Sequence, residues 1–508
     1  MTSSPRSVPV PAPAGKREWA ALVVLVLVVL LLAVDGTVLY LAVPSLTEDI
    51  GPTATQILWI GDIYAFVLAG LLITMGNLAD RIGRKRLLMI GTVGFGSASA
   101  LAAFASTPEV LIAARALLGL AGATLMPSTL SIVRSMFADR AQRARAIAIW
   151  SAGATAGAAL GPLVGGALLE RFWWGSVFLI NVPVMALVAG RLLLPESKGE
   201  APARIDVGSS ALSIVTIVPL VFALKRLFSD GVDAVTVAAT AVGLLAGWWF
   251  VRRQNRLAVP LLDVSLFKVP AFSGALAANV LAIFGFLGLL FFFSQYLQLV
   301  RDFGPLKAGV AELPGTLAAV LVVALIGVLL SRLGAGRAIG LGLLVAAVGL
   351  AVLGTSVDLR SYWGLGIGLA VIGLGIGVAM TLSTDAVVGA VPERRAGAAS
   401  AVAETAYELG GALGIAVLGS VHGLLYRSSL TLPAGTTAAD RALAEDSLAA
   451  AVYGSPAPGV VAAAQDAFAQ AMQSATFVAA VILVGASVVA WKIIPSEPVP
   501  AGGVRVDH

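Results

Sequence analysis

Runs of about twenty apolar residues recur from one end of this chain to the other, and no other feature constrains its fold as strongly. A helix of that length crosses the hydrocarbon core of a bilayer and satisfies its backbone hydrogen bonds internally, as lipid demands. A membrane barrel would need ten-residue strands of alternating polarity, and the sequence has none. Spans are expected near 19–43, 55–77, 87–106, 109–133, 146–169, 175–194, 207–224, 234–251, 271–298, 308–330, 338–355, 361–384, 397–424 and 473–494, fourteen in all. Hydrophobic residues make up 58% of the 508 and charged residues 12%, which excludes a string of soluble domains. The 56 glycines would weaken soluble helices, whereas in a membrane bundle small residues let helices approach closely.

The chain has no cysteine, so disulfides and thiolate metal sites are excluded. Its two histidines, His422 and His508, lack the spacing of a metal cluster. No Gly-x-x-x-x-Gly-Lys-Ser/Thr loop is present to bind nucleotide, and no His/Cys/Ser constellation points to catalysis. An enzyme is therefore not expected, and neither is a cofactor beyond a proton gradient.

The net charge of +5 is explained by placement. With both termini in the cytoplasm, most of the 33 Lys and Arg fall on the cytoplasmic side, as the positive-inside rule requires. The basic balance thus sets topology, and nucleic acid is not an expected partner. Residues 1–15, followed by Lys16-Arg17 and an apolar run, imitate a secretory leader. The run continues past Asp35 without a convincing cleavage site, so it reads as the first span.

An internal repeat divides the chain. Gly76-Asn77-Leu78-Ala79-Asp80-Arg81-Ile82-Gly83-Arg84-Lys85-Arg86 follows the second span, and Gly327-Val328-Leu329-Leu330-Ser331-Arg332-Leu333-Gly334-Ala335-Gly336-Arg337 closes the tenth, with Ser331 where Asp80 would stand. Gly157, Leu160 and Gly161 are echoed by Gly410, Leu413 and Gly414. The repeat places six helices, two inserted helices and six more, the duplicated-half architecture of transporters. Residues 1–18 are then a cytoplasmic tail, 19–194 the amino half, and 195–256 a linker with the inserted pair. Residues 257–494 form the carboxy half, with an outside loop at 426–472, and 495–508 a second cytoplasmic tail.

Ionisable groups inside a bilayer cost several kcal/mol and mark function. Asp35, Arg115, Glu404 and Glu408 lie within spans, and Asp62, Glu312 and Asp385 lie nearer span ends. Glu404 and Glu408 are one turn apart on one helix face. Two such carboxyls repel when both are charged, and burial disfavours the charged form. A proton held there would be released by an arriving cation, the linkage that antiport requires. Trp59, Tyr64, Tyr407 and Phe291–Phe293 are candidate aromatic walls for a cation, and Asn279, Gln295 and Gln298 candidate polar spots in a cavity. The glycines of the turn at 76–86 permit a tight reversal. With Asp80 the one acid among Arg81, Arg84, Lys85 and Arg86, a pairing that breaks between states would act as a conformational latch.

Residues 76–88 resemble the signature loop of the major facilitator superfamily. Arg115 with Gly119 and Gly122 is similar to its fourth-span motif, and Gly153-xxx-Gly157-xxx-Gly161-Pro162-xx-Gly165-Gly166 to its fifth-span antiporter motif, apart from Ala148 where a further glycine is often found. Asp35-Gly-Thr37-Val38 with Pro44, Asn181-Val182-Pro183, and the segment 403–411 resemble the fourteen-span drug:proton antiporters of the QacA/SmvA/LfrA type. The resemblance implies an all-α membrane protein with a major facilitator fold. It further implies roles in proton coupling or cation recognition for Asp35, Glu404, Glu408 and Asp62, with Arg115 tuning Asp35 and Glu312 a further candidate. The expected activity is proton-coupled efflux of lipophilic cationic drugs, dyes and quaternary ammonium compounds from a bacterium, by a monomer in the cytoplasmic membrane. Export of an endogenous metabolite, antibiotic or lipid on the same fold is the alternative. An ion channel would show a pore-lining ring or filter.

Overall fold

The computed structural model describes residues 14–137, 139–189, 206–229, 231–257, 260, 262–359, 361–391, 396–454 and 457–496. Among them there is helix and no strand. The amino half comprises α1 (Lys16–Ile50), α2 (Ala54–Ile82), α3 (Arg84–Ala103), α4 (Pro108–Met136), α5 (Arg140–Leu169), and the short α6 (Ser176–Leu179) and α7 (Asn181–Ala189). The inserted pair is α8 (Val207–Ser229) and α9 (Ala234–Gln254). The carboxy half comprises α10 (Pro270–Gln295), α11 (Pro305–Leu321), α12 (Ile326–Ser356), α13 (Trp363–Gly389), α14 (Ala396–Ser429), α15 (Ala438–Asp446), α16 (Leu448–Gly454) and α17 (Pro458–Ile493). Local chemistry sets the boundaries. The Thr53, Thr107 and Asp139 side chains accept the first free amides of α2, α4 and α5. Gly51, with φ 58°, closes α1 in the left-handed region.

Twelve helices are long and apolar enough to cross a membrane. Two of the fourteen expected spans are not separate among these. The helix Pro305–Ser356 has 52 residues, about 78 Å at 1.5 Å per residue, far beyond a bilayer about 30 Å thick. It reverses at Gly334, whose φ is 73°, and so supplies two passes. The sixth expected span corresponds to α6 and α7, an apolar stretch of Ser176–Val188 that runs into residues outside those described.

The repeat is visible in the backbone. Gly83 has φ 104° and Gly334 φ 73°, so equivalent glycines turn the chain at equivalent places, where a side chain would be strained. A Cβ on Gly153, Gly157, Gly161 or Gly165 of α5 would overlap Val26, Leu30, Thr37 or Val38 of α1. A Cβ on Gly410 or Gly414 of α14 would overlap Val280, Ile283 or Phe284 of α10. The glycine echo thus builds the same close helix pair in each half.

Ala14 and Ser496, the first and last described residues, lie at one end of the bundle. Ala14 N donates to Gln142 Oε1 at 2.8 Å, at the start of α5. Gly166, at the opposite end of α5, packs on Pro305 and Leu306. From there α11 runs back to the reversal at Gly334, which meets Ser496. The halves pack together at the end remote from the termini: Gly166 and Pro162 against α11, Gly61 against Phe291, and Leu58 against Gly419. Gln298 Nε2 also donates to Leu41 O there, at 3.1 Å.

Residues 426–472, expected as a loop, are largely helical instead. α14 and α17 overrun the span ends, and α15 and α16 fold over the far end between them. Thr437 caps α15, Tyr426 donates to Ala444 O at 2.7 Å, and the alanine-rich sequence favours helix. The inserted hairpin is tied at both ends by ion pairs, Arg253–Asp206 and Arg226–Asp233, each 2.8 Å. It touches both halves. The Thr74 and Ser210 hydroxyls are hydrogen-bonded at 2.5 Å, and Val221 of α8 clusters with Phe66 of α2 and with Ala412 and Ala416 of α14.

Candidate functional site

Two buried charge networks stand in the amino half. In the first, Arg115 of α4 places Nη1 3.0 Å from Asp35 Oδ2 of α1, with both side chains at most 2% exposed. Arg115 Nε donates to Ile60 O of α2 at 3.2 Å. Asn181 Nδ2 donates to the other Asp35 oxygen at 2.8 Å and to Ser99 Oγ at 3.1 Å. The guanidinium lies over the rings of Tyr64 at 4.7 Å and Phe178 at 5.9 Å. The glycines following Arg115 make this arrangement possible: Gly119 presses on the Tyr64 backbone, and a Cβ at Gly122 would sit 3.2 Å from the Tyr64 hydroxyl. α2 thereby comes close enough to present Ile60 O and Tyr64 to Arg115.

In the second network, Asp62 of α2 meets Lys225 of α8 at 2.8 Å, with side chains 0% and 3% exposed. The Lys225 ammonium lies 3.9 Å from the centre of the Trp59 ring, and Trp59 packs beside Phe222. The seventh span is expected to end at 224, one residue short of Lys225. α8 instead continues to Ser229 and carries that charge into the protein. A Lys-Arg pair on the side that the positive-inside rule leaves poor in basic residues was the available signal. Asn181 reads in the sequence as part of a motif, not as a ligand of Asp35.

The carboxy-half acids differ. Glu404, Tyr407 and Glu408 of α14 are half-buried, and neither carboxyl has a hydrogen bond or ion pair among the described residues. Glu404 and Glu408 act electrostatically on each other and on Tyr407, and Glu408 also feels Arg115. Tyr40 and Tyr64 of the amino half lie within the field of Glu408. α14 packs against α2, the helix that presents Ile60 O and Tyr64 to Arg115. Glu312 of α11 is buried, with Oε1 unpartnered. Asp385 is exposed, in keeping with a solvated charge.

The remaining candidates are dispersed. Asn279 Nδ2 donates to Thr384 Oγ1 at 3.2 Å. Gln295 Nε2 donates to Phe291 O at 3.2 Å and lines a pocket at the far end, together with Lys225, Phe291, Phe292 and His422. Gln298 bridges the halves as described above. Tyr64 is enclosed by the Arg115 network rather than forming an open wall. In the α2–α3 turn, Gly76 faces Pro127, Arg81 is exposed, and Arg84 Nη1 reaches Ser131 O at 3.5 Å. The Asp80 side chain lies outside the described residues. Among the described residues no group of His, Asp or Glu could hold a metal ion.

Comparison with known proteins agrees with this architecture. The model of the Major Facilitator Superfamily matches residues 25–415. The multidrug efflux pump LfrA of Mycolicibacterium smegmatis is 45% identical over 93% of this chain and 95% of its own. The methyl viologen resistance protein SmvA of Salmonella typhimurium is 37% identical over 86% and 89%. A tetracenomycin C resistance and export protein of Streptomyces glaucescens is 34% identical over 79% and 76%. Among solved structures, a bacterial homologue of the human lysosomal transporter Spinster, in an inward-facing and unoccupied conformation, matches with a TM-score of 0.64 at 19% identity, over 95% of this chain and 99% of that one. The chain thus belongs to the major facilitator superfamily and is a multi-pass membrane transporter, not an enzyme.

Proposed function

We propose that the protein exports lipophilic cations, among them drugs, dyes and quaternary ammonium compounds, in exchange for protons. It works by alternating access in a bacterial cytoplasmic membrane with both termini cytoplasmic. The observation that carries this reading is the Glu404–Glu408 pair, two half-buried carboxyls one turn apart without a hydrogen-bond or ion-pair partner among the described residues. A charge kept at that cost needs a mobile counterion, and protons and organic cations are the two candidates. Tyr407 beside the pair supplies an aromatic face for a cation. The relatives support the class of cargo: one is named a multidrug efflux pump and another a methyl viologen resistance protein, methyl viologen being a flat dication.

In this reading a cation enters between the halves from the cytoplasm, settles against Glu404 and Glu408 and releases the proton held there. The glycine-lined contacts of α5 with α11 and of α2 with α14 then part, while the turn built from Gly76, Asp80, Arg81, Gly83 and Arg84 latches the terminal end. Arg115 and Asn181 keep Asp35 poised on α1. The driving force available is about 2.3 kcal/mol per charge per 100 mV.

Flux of ethidium and of a bis-quaternary ammonium compound in inverted vesicles tests the proposal. Wild-type uphill transport should collapse when the pH gradient is dissipated. Glu404→Gln and Glu408→Gln should each lower transport of the dication at least tenfold. Unchanged proton-driven flux of both cargoes in both variants would remove the mechanism. Full efflux of a neutral antibiotic in those variants would favour the second reading, for which the tetracenomycin exporter speaks. Because the chain has no cysteine, a single one introduced at Thr437 reports topology without background. It should label in intact cells, and labelling only after permeabilisation would reverse the orientation.

A further inference from the structure

The inserted hairpin carries a lysine to a place where the rest of the protein has built a receptor for a cation. Asp62 offers a fully buried carboxylate and Trp59 an indole face, and the Lys225 ammonium sits 2.8 Å from the first and 3.9 Å from the centre of the second. A carboxylate combined with an aromatic face is what binds an organic ammonium. Lys225 also lines the pocket at the far end, beside Ile57, Leu58, Phe291, Phe292 and Gln295, whereas Asp62 and Trp59 do not line it. Lys225 is thus the member of the trio that borders the pocket. The lysine reaches in from a flexible four-carbon stem, on a helix that also packs on α14 of the other half through Val221.

We propose that Lys225 is a tethered counter-cation occupying a carboxylate–indole cation subsite, Asp62 with Trp59, and that it competes with the exported cation for that subsite. The inserted helices then have a transport function: they return a built-in cation to Asp62 and so prevent a cargo cation from remaining at the far end. The inference rests on the reading of the cargo as a cation, but the existence of the subsite does not.

The test is equilibrium binding of tetraphenylphosphonium to the purified full-length protein, with transport measured in parallel. Lys225→Met should tighten binding at least tenfold and lower the maximal transport rate, so that KM and kcat fall together. Lys225→Arg should stay near wild type. Breaking a buried pair can unfold a protein, so Asp62→Asn and the double variant Asp62→Asn/Lys225→Met provide a second comparison. The single variant leaves an unopposed lysine in the subsite and should bind the cation more weakly than the double. Equal affinity in those two, or an affinity in folded Lys225→Met that is unchanged or weaker, would overturn the proposal. If the wild type neither binds nor carries tetraphenylphosphonium, the cation-export reading fails. A gain of binding in Lys225→Met would still establish the subsite, and its absence would still refute it.

Discussion

In the amino half the buried acids are held by the scaffold. Asp35 has Arg115 on one oxygen and Asn181 on the other, and Asp62 has Lys225. In the carboxy half Glu404 and Glu408 face the interior with no such partner, and Glu312 Oε1 is an orphan. The same chemical group is thus treated in opposite ways by two halves that descend from one repeat. A buried carboxylate with a fixed counterion is stable but unavailable, whereas one without a counterion is costly and waits for a mobile one. The difference separates Asp35, which sets the architecture and its electrostatics, from Glu404 and Glu408, which are free to exchange ligands, with Asp62 between them because its counterion is a lysine on a flexible stem.

Removing a fixed partner should have the largest effect on the comparison. Arg115→Ala strands Asp35 with one hydrogen-bond donor and frees Ile60 O, so a loss of about 3–5 kcal/mol is expected. It should appear as poor expression or a strongly lowered Tm in detergent, together with loss of transport. A variant as stable as wild type would break the contrast between the halves.

The converse substitution sharpens it. Glu408→Gln removes a charge that has no partner among the described residues, so its Tm should stay within a change of about 1 kcal/mol in stability while cation transport falls. Marked destabilisation would instead reveal Glu408 as a structural charge.

The smallest effect is expected outside the spans. The Arg253 guanidinium beside Asp206 holds its carboxyl down at about 2, but Arg253 is 41% exposed and solvent screens the pair. Asp206→Asn should cost less than about 1 kcal/mol, and less still at high salt. Because the folded-state value is depressed, the contribution is complete above the ordinary carboxylate value near 4. It is lost as pH falls from there toward 2. Wild type and variant should therefore converge in Tm at acid pH and differ slightly at neutral pH.

The sequence by itself determined that the chain is helical and spans a membrane, that its halves repeat, and which acids lie in the wrong solvent. Each of these follows from a local or periodic cost: apolar length against bilayer thickness, glycine where a turn or close approach needs it, and charge where hydrocarbon disfavours it. The turn glycines Gly83 and Gly334 and the α5 glycine stripe were legible for that reason, since their roles are written in their own φ angles and in the absence of a Cβ. Only the tertiary structure decided which charges are neutralised. Arg115 and Asp35 are 80 residues apart, Asn181 and Asp35 are 146, and Lys225 and Asp62 are 163. No periodicity links residues across such distances. The pairs exist because α1, α2, α4, α7 and α8 are packed side by side, and the acids of α14 stay unpaired because the helices opposite them present tyrosines and an arginine already committed to Asp35.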